Sequence, residues 1–362
     1  MSFAVVRDQP VALRLLRQLL HRGRVPHGLM FWGPDGVGKR LTAGEMAKAV
    51  NCTGGAGDDA CDTCLSCRKT VQHNHPDVMT VVPVKRSRTI VVEMVEQVNE
   101  MAALRPHEGR RRVVLFEDAD RMNLPAQNHF LKTLEEPPGN SLFVLITASP
   151  RALLPTIRSR CQQVRFGALR PETVVALLRE QRALQREHAE AIAALSQGQM
   201  ARALDLADTD RRDVVLDIAQ RLAAGADPVA LSEEFAKYLA RLKSAAESDV
   251  KDEMAPDDPG DLTREDREAL KAEQASAAEA RFRRELMELL YLFETWYRDA
   301  MLMRATGETA HILNRDQMAR LGKAPDGDYH RKLEAIEKTR VYLERFLNEE
   351  RVFRDLFFVL AA

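Results

Sequence analysis

A short apolar run that leads directly into a glycine-rich loop is the strongest constraint that this sequence places on its fold. The run GLMFWG (28–33) continues as GPDGVGKR (33–40) and then as the amphipathic stretch LTAGEMAKAV (41–50). In this order the glycines let backbone N–H groups turn towards a phosphate, the helix N-terminus adds a positive dipole, and the lysine reaches the outer phosphates. The sequence therefore predicts a strand–loop–helix phosphate site, with ligands from Gly33, Gly36, Gly38 and Lys39.

The last position of this loop departs from the usual pattern. A Ser or Thr hydroxyl normally ligates Mg²⁺ there, but this chain has Arg40, and Thr42 lies on a different face of the helix. Without that hydroxyl the metal loses a ligand, and its neutralisation of developing charge is weakened. The loop therefore favours nucleotide binding over efficient hydrolysis.

The acids that end the run RVVLFED (112–118) depart from the pattern as well. A hydrolysing site of this kind ends its strand with Asp for Mg²⁺, followed by a residue that orients water. Here Glu117 precedes Asp118, which reverses the order, although Glu117 is long enough to reach a metal. The alternative, that both acids only cap the strand end and the following helix, is equally compatible with the sequence.

Strand and helix patterns alternate up to residue 167 and give way to helix after it. The candidate strands are GLMFWG (28–33), DVMTVVPV (77–84), RVVLFED (112–118), SLFVLITAS (141–149) and QQVRFG (162–167). Alternation of this kind implies crossover connections and a parallel sheet. We therefore predict an α/β P-loop domain over 1–167, a small helical lid over 168–207 and an all-α domain over 208–362. The acidic segment 244–280 interrupts the last domain, and we interpret it as a solvated insertion or loose surface helix.

Four of the five cysteines lie within sixteen residues, as Cys52, Cys61, Cys64 and Cys67. Tetrahedral Zn²⁺ takes four thiolates, and the two-residue gaps let neighbouring sulfurs converge on one ion. Four cysteines leave no open coordination position, so the predicted zinc site is structural rather than catalytic. The remaining Cys161 is distant in sequence and is not part of this cluster.

The charge balance argues against a protein that binds nucleic acid through its overall field. The formal net charge is -1, so any DNA contact must come from local patches or from an assembly. No apolar run is long enough to span a bilayer, and the N-terminus has no signal-peptide core. We therefore expect a cytoplasmic protein without a membrane partner.

Several further motifs, read together, resemble the clamp-loader branch of the AAA+ ATPases. That branch carries a cysteine module between the phosphate-loop helix and the next strand, as does this protein. Similar motifs are His75-Pro76-Asp77, the run with LKTLEEPP that spans 123–138, and LPTIRSRC (154–161). The resemblance covers residues 3–206, with weaker support from WYRD (296–299) and the C-terminal helices.

The resemblance implies roles for individual residues. In that family the arginine of a Ser-Arg-Cys motif, here residues 159–161, completes the ATP site of a neighbouring subunit and is called an arginine finger. The resemblance makes Arg160 the candidate for this role. The alternatives are that Arg158 has this role, or that either arginine only forms a surface salt bridge. Thr147 matches the polar sensor of the γ-phosphate, although Thr at a strand end is also common. Hydrolysing members carry a lid arginine where this chain has Ala201, and Arg202 is displaced by about 100° around the helix.

The three departures at Arg40, at the Glu117–Asp118 order and at Ala201 agree with one another. They indicate a stator-like loader subunit that hydrolyses ATP weakly or not at all and donates a finger to its neighbour. The resemblance implies a hetero-oligomeric ring with gamma/tau and delta subunits, which loads a sliding clamp onto primed DNA for DNA polymerase III. It also implies structural Zn²⁺, ATP as a candidate ligand, and a collar formed by residues 208–362.

Three alternative functions are compatible with parts of the sequence. The first is an ATP-hydrolysing, gamma-type loader subunit, and the second is a nucleotide-binding regulatory module outside replication. The third is a direct DNA-binding protein that uses the basic clusters 85–88 or 110–112. Both clusters are short and lack interleaved aromatic residues, which favours solvated loops.

Overall fold

A computed structural model describes residues 2–55, 57–83, 89–255 and 264–362. Within these ranges the protein divides into two compact units. The N-terminal unit extends to Thr173 and includes Gly198–Ala201, and the C-terminal unit comprises Val174–Gln197 and Arg202–Ala362. The division into three domains remains a prediction. The basic cluster 85–88 lies outside the described residues.

A five-stranded parallel sheet forms the centre of the N-terminal unit, in the order β2-β3-β4-β1-β5. Its strands are β1 (Gly28–Trp32), β2 (Val78–Val81), β3 (Arg112–Phe116), β4 (Ser141–Thr147) and β5 (Gln162–Arg165). Each predicted strand is present, and the observed strands are shorter at their carboxyl ends. The prediction of a parallel sheet is confirmed.

Both faces of the sheet are buried, which explains the nearly continuous apolar runs in the sequence. Side chains alternate along β3, so Val113 and Leu115 contribute to one core, whereas Val114 and Phe116 contribute to the other. On the second face Phe130 packs edge-on against Phe116, with ring centroids 4.9 Å apart. The sheet is therefore a fixed platform for the loops at its carboxyl edge.

The crossover helices of this unit cover the two faces of the sheet. They are α1 (Pro10–His21), α2 (Lys39–Asn51), α3 (Leu65–Val71), α4 (Val92–Ala103), α5 (Leu124–Glu135) and α6 (Pro155–Arg160), followed by α7 (Pro171–Arg182), which continues into the C-terminal unit. Proline in the first turn of several of them removes an N–H that would have no helical partner. Asn123 caps α5 by accepting a hydrogen bond from the N–H of Ala126.

The C-terminal unit is helical, as predicted. Its remaining helices are α8 (Arg186–Leu195), α9 (Met200–Asp208), α10 (Arg211–Ala223), α11 (Pro228–Glu253), α12 (Arg264–Thr306), α13 (Met318–Leu321), α14 (Tyr329–Glu344) and α15 (Glu349–Ala361). Four aromatic rings from α11, α12 and α15 pack together in its core, namely Phe235, Phe293, Phe353 and Phe357. None of the helices in the described ranges is long and apolar enough to cross a membrane.

Within the charged segment 244–280, residues 244–253 and 264–280 are helical. The first stretch continues α11, and the second forms the first part of α12. A small apolar seam of Val250, Met254, Leu270 and Ala278 joins these two stretches. The two described stretches are therefore extensions of α11 and α12 that pack together, because sparse apolar residues at helical spacing are enough to pair them.

Candidate functional site

The glycine-rich loop joins β1 to α2 and wraps around the N-terminus of that helix. Gly38 precedes α2 with φ 96°, and Gly36 has φ 72°, conformations that side chains with a Cβ rarely adopt. A Cβ on Gly36 would lie 2.3 Å from the backbone nitrogen of Ala201, so only glycine lets that segment approach the loop. The loop thus has a backbone conformation that requires glycine, and the roles of Gly33, Gly36 and Gly38 as phosphate ligands stay a prediction.

The amino group of Lys39 lies within the loop and is almost completely buried. It donates hydrogen bonds to the carbonyl oxygens of Gly33 and Pro34, both at 2.7 Å, and lies 3.3 Å from a carboxylate oxygen of Asp35. A bound phosphate would have to replace part of this set of acceptors. The charge and location of the Lys39 ammonium suit phosphate binding, since an ammonium offers three hydrogen-bond donors.

Arg40 forms an ion pair with Glu117, with 2.7 Å between Nε and Oε1. Burial raises the pKa of the Glu117 carboxyl, and the guanidinium of Arg40 offsets this only in part. The hydroxyl of Thr42 is fully buried and donates to the carbonyl oxygen of Gly38 at 2.8 Å, so it does not replace the missing ligand. A guanidinium thus takes the place of the metal-ligating hydroxyl and pairs with the acid that a metal would contact, so this donor set offers Mg²⁺ fewer free ligands than the usual loop does.

The other acid of the pair, Asp118, follows β3 in a left-handed conformation with φ 46°. Partial burial raises its pKa, and the negative charges of Asp120 and Asp35 raise it further. Thr147 at the end of β4 donates a hydrogen bond of 2.5 Å to Asp120. Sequence reasoning missed Asp120, although its position just after β3 places it opposite the end of the neighbouring β4. The role of Thr147 as a γ-phosphate sensor stays a prediction.

Gln9 also escaped the sequence analysis, and it ties the loop to the end of the sheet. Its buried side-chain amide donates to the carbonyl oxygens of Gly167 (2.9 Å) and Val37 (3.4 Å), and its oxygen accepts the N–H of Gly167. An isolated glutamine before the first helix gives no sequence signal of such a bridge. The phosphate loop is thereby held at a fixed position relative to the segment that follows β5.

The candidate finger Arg160 is the last residue of α6, and its side chain is exposed. Its guanidinium pairs with Glu135 at 2.7 Å and donates to the carbonyl oxygen of Thr156 at 3.3 Å. The next residue, Cys161, points into the core beneath Gly28, and burial raises its pKa to about 12. Arg158 has a buried Nε without a hydrogen-bond partner among the described residues. The short helix therefore presents Arg160 at the surface while its neighbour anchors the backbone.

The four clustered cysteines come together as predicted. Their sulfur atoms all lie within 4.8 Å of one another, and those of Cys52 and Cys64 are 4.0 Å apart. A tetrahedral zinc with Zn–S bonds of about 2.3 Å needs sulfurs about 3.8 Å apart, so the residues fit this ion. The N–H groups of Cys61, Cys64 and Cys67 donate to sulfurs of the same cluster. Bound zinc would act as a structural cross-link between the end of α2 and the start of α3.

Two thiols of the cluster are polarised towards the thiolate that zinc requires. Hydrogen bonds from Thr63 and from the N–H of Cys64 lower the pKa of Cys61 to about 7. Burial opposes ionisation of Cys64, but the N–H groups of Cys67 and Thr53 outweigh it and lower the pKa to about 5. Burial raises the pKa of Cys67. Donors aimed at sulfur are what a thiolate site needs.

The motif His75-Pro76-Asp77 fastens the cysteine module to the sheet. His75 is buried, with Nε2 3.0 Å from the hydroxyl of Ser66 and Nδ1 accepting the N–H of Asp77 at 3.1 Å. Burial lowers the pKa of His75. Both ring nitrogens are therefore occupied by protein groups, which makes His75 a structural residue and not a zinc ligand. The fully buried Asp77 carboxylate accepts backbone N–H groups of residues 107–109.

The basic cluster 110–112 is largely engaged within the unit. Arg112 donates to the carbonyl oxygens of Pro76 and Arg105, and Arg111 donates to that of Val25. Asn51 holds the same loop by accepting the N–H groups of Arg110 and Arg111. Arg112 is buried at the start of β3, so the interpretation of the cluster as a solvated loop is wrong at this residue, because its guanidinium is needed as a donor inside the unit.

Comparisons with known proteins show similarity over the N-terminal part of the sequence, which contains these motifs. The model of the family described as DNA polymerase III, delta subunit, matches residues 8–170, from before the phosphate loop to beyond Arg160. DNA polymerase III subunit delta′ of Pseudomonas aeruginosa is 38% identical over 149 residues, which are 41% of this chain and 45% of the relative. Residues 8–170 are thus similar to this family, and the similarity covers less than half of the protein.

Further subunits of DNA polymerase III are similar to about half of this protein. Subunit delta′ of Bacillus subtilis is 34% identical over 173 residues, 48% of this chain and 52% of the relative. Subunit tau of Escherichia coli is 34% identical over 173 residues, 48% of this chain and 26% of the relative. The matched regions thus span about half of the delta′ relatives or less. A gamma subunit-related protein of Thermotoga maritima aligns over 98% of this chain and 99% of its own, at 15% identity and a TM-score of 0.39.

Ala201 occupies the position that the resemblance to the AAA+ clamp loaders assigns to the lid arginine. Ala201 packs against Gly36 of the phosphate loop and carries no charge. The neighbouring Arg202, which belongs to the C-terminal unit, pairs with Glu288 at 2.7 Å and lies 4.0 Å from the ring centroid of Tyr291. The arginine nearest in sequence to the lid position is therefore committed to its own unit.

Proposed function

We propose that this protein is a delta-prime-type stator subunit of a cytoplasmic DNA polymerase III clamp loader. It keeps the nucleotide-binding scaffold without hydrolysing ATP and offers Arg160 to the ATP site of a neighbouring gamma/tau subunit. Its helices over 208–362 join the collar of a ring that also contains delta. The assembled ring loads a sliding clamp onto primed DNA.

The observation that carries this proposal is the ion pair between Arg40 and Glu117. Hydrolysis of ATP needs a metal to bridge the phosphates and neutralise developing charge. In this protein a guanidinium takes the place of the metal-ligating hydroxyl and pairs with the acid at the end of β3. Ala201 removes the lid cation as well. Both changes lower the hydrolytic capacity of the site and leave the loop backbone intact.

The setting of Arg160 supports the second half of the proposal. An exposed ion pair such as Arg160–Glu135 contributes about 0–1 kcal/mol, so the guanidinium can exchange Glu135 for a phosphate at little cost. Arginine suits this role because its planar fork binds phosphate oxygens with two parallel hydrogen bonds. In the neighbour's site, water attacks the γ-phosphorus, ADP departs, and Arg160 stabilises the charge that accumulates on the transferred oxygens.

An ATP-hydrolysing, gamma-type subunit is the alternative from the same family. Relatives named gamma/tau match this protein as well as some named delta′, so overall similarity does not separate the two. The residues favour the stator, because this sequence lacks the hydroxyl, the acid order and the lid arginine of a hydrolysing site.

The test compares ATP turnover by the reconstituted loader, with clamp and primed DNA, between the wild type and Arg160→Ala. A finger is worth about 10³- to 10⁵-fold in kcat at the site it completes, so loader turnover should fall to the level of its remaining sites. Arg160→Lys should fail to restore it, because a point charge lacks the fork. The lone subunit should be inactive.

Three controls make the result specific. Arg14→Ala removes an exposed arginine of α1 and should leave turnover unchanged, and Arg158→Ala tests the second arginine of the motif. Size-exclusion chromatography must show that each variant still assembles. Robust hydrolysis by the lone subunit, abolished by Lys39→Ala, would favour the gamma-type alternative and refute the proposal.

A further inference from the structure

The C-terminal unit contains a cavity of about 330 Å³ that none of the motifs above explains. It lies among α10, α12, α13, α14 and α15, and its lining includes Ala223, Trp296, Tyr297, Lys323, Tyr329 and Lys332. The volume is at the lower end of the range for small-ligand sites. Trp296 and Tyr297 belong to the WYRD motif (296–299), and their rings form an aromatic wall of the cavity.

A buried lysine reaches this cavity without an acidic partner. Lys332 is 6% exposed, and its ammonium donates one hydrogen bond of 2.8 Å to the carbonyl oxygen of Leu360. The rings of Tyr297 and Tyr329 lie 5.7 and 5.8 Å from the ammonium nitrogen. An ammonium has three donors, and among the residues that the structure describes no carboxylate pairs with it. A buried cation of this kind is costly unless an anion compensates it.

The rim of the cavity adds to the positive charge. Arg320 and Lys323 line it, both are exposed, and neither forms an ion pair with a described residue. The lining contains no Asp or Glu from the described ranges. Three cations around aromatic and alanine walls therefore face a space that only an anionic, partly apolar group would complement.

The segment that carries these rim cations, between α12 and α14, is held in place by buried acids. Asp299 is fully buried and accepts the N–H groups of Leu313 and Asn314 at 3.0 and 2.8 Å. Asp316 pairs with the buried Arg212 at 2.6 Å. These contacts fix the first part of the segment, and Tyr329 fixes its end by donating to the carbonyl oxygen of Pro325 at 2.6 Å. The cavity is thus part of the packed structure.

We propose that this cavity binds a carboxylate carried on an aromatic or branched apolar group, with Lys332 as the partner of the carboxylate. The apolar body packs against Trp296 and Tyr297, while Arg320 and Lys323 attract the anion at the entrance. A free organic acid and the C-terminal residue of another protein both present this chemistry. The proposal does not depend on the nucleotide site or on the finger role of Arg160, because none of these residues belongs to the phosphate loop or to α6.

The test uses the fluorescence of Trp296 in the full-length protein. The protein has two tryptophans, so Trp32→Phe leaves Trp296 as the only one. Hydrocinnamate represents a free acid, an acetylated Gly-Phe dipeptide represents the C-terminus of a protein, and hydrocinnamide is the neutral control. We expect saturable quenching by at least one acid, and binding of the amide about tenfold weaker or less. The tighter of the two acids identifies the source.

Two variants assign the effect to the cavity. Lys332→Met keeps the length of the side chain and removes its charge, and it should weaken acid binding about tenfold or more without affecting the amide. Arg320→Gln with Lys323→Gln alters exposed residues only, and should slow association of the acid, more so at low salt. Circular dichroism checks that both variants fold. Equal binding of acid and amide, or no response to either acid, would overturn the proposal and leave Lys332 as a cap of α15.

Discussion

Replacing Asp77 by Ala should destabilise the N-terminal unit by about 3–5 kcal/mol, the usual cost of breaking a buried charge pair. The carboxylate is fully buried and accepts the N–H groups of His107, Glu108 and Gly109 at 2.7, 2.9 and 2.7 Å. The guanidinium of Arg112 is 3.5 Å away. Alanine would leave the three N–H groups without an acceptor and the guanidinium of Arg112 without its carboxylate partner. Each hydrogen bond to a charged group is worth about 1.5–3 kcal/mol, so the stated range is conservative.

Asp77→Asn should cost about half as much, because the amide keeps one acceptor oxygen and loses the charge. The pH dependence has a definite sign. Burial alone would raise the pKa of Asp77, but the three N–H donors and Arg112 outweigh it and lower the pKa below its ordinary value. The stabilisation is therefore fully present above about pH 4 and is lost as the pH falls towards the lowered pKa. The difference in the free energy of unfolding between the wild type and Asp77→Asn should therefore become smaller as the pH falls through that range.

The assay is urea denaturation followed by the fluorescence of Trp32, which lies at the end of β1. The background variant Trp296→Phe removes the only other tryptophan, so that the signal reports the N-terminal unit in a protein whose two units need not unfold together. Glu96→Ala changes an exposed acid on α4 and should shift stability by less than about 0.5 kcal/mol. A loss below about 1 kcal/mol for Asp77→Ala would refute the reasoning.

Two further predictions concern the cysteine cluster and the phosphate loop. Elemental analysis should find one zinc per protein molecule, with the metal lost in Cys64→Ser and retained in the control Cys161→Ala; retention in Cys64→Ser would contradict a four-thiolate site. Arg40→Thr should make binding of a fluorescent ATP analogue stronger with Mg²⁺ than with EDTA, because it frees Glu117 and restores a hydroxyl. The affinity of the wild type and of the control Arg14→Thr for the analogue should not depend on Mg²⁺. Mg²⁺-dependent binding by the wild type would show that Arg40 does not replace the metal.

The strands and the main helices of the N-terminal unit were predictable because their signals are local. An apolar run bounded by turn residues, as at Gly28–Trp32, reports a buried strand through its own composition. The cysteine spacing likewise predicted the cluster of four sulfurs, since two-residue gaps bring sulfurs together within a single turn. The structure of the acidic segment 244–280 was harder to predict, because its few apolar residues form a seam only when two stretches that are separated in the sequence pack together.

The site illustrates the same limit in more detail. Sequence reasoning selected Arg40, Glu117 and Thr147 one at a time, each from a motif, and could not tell which side chains would meet. The structure pairs Arg40 with Glu117 and brings Thr147 to the unremarked Asp120. Both contacts depend on which strands are neighbours in the sheet.

The strand–loop–helix around Lys39, the individual strands and the thiol cluster could be predicted from the amino-acid sequence. They depend on residues close together in the sequence, whose conformation follows from side-chain period, glycine and spacing. The strand order β2-β3-β4-β1-β5, the burial of Asp77 against residues 107–109 and the cation-lined cavity around Lys332 became visible only in the folded structure. These depend on contacts between distant segments, which are set by how the elements pack together and leave no periodic signal in the sequence.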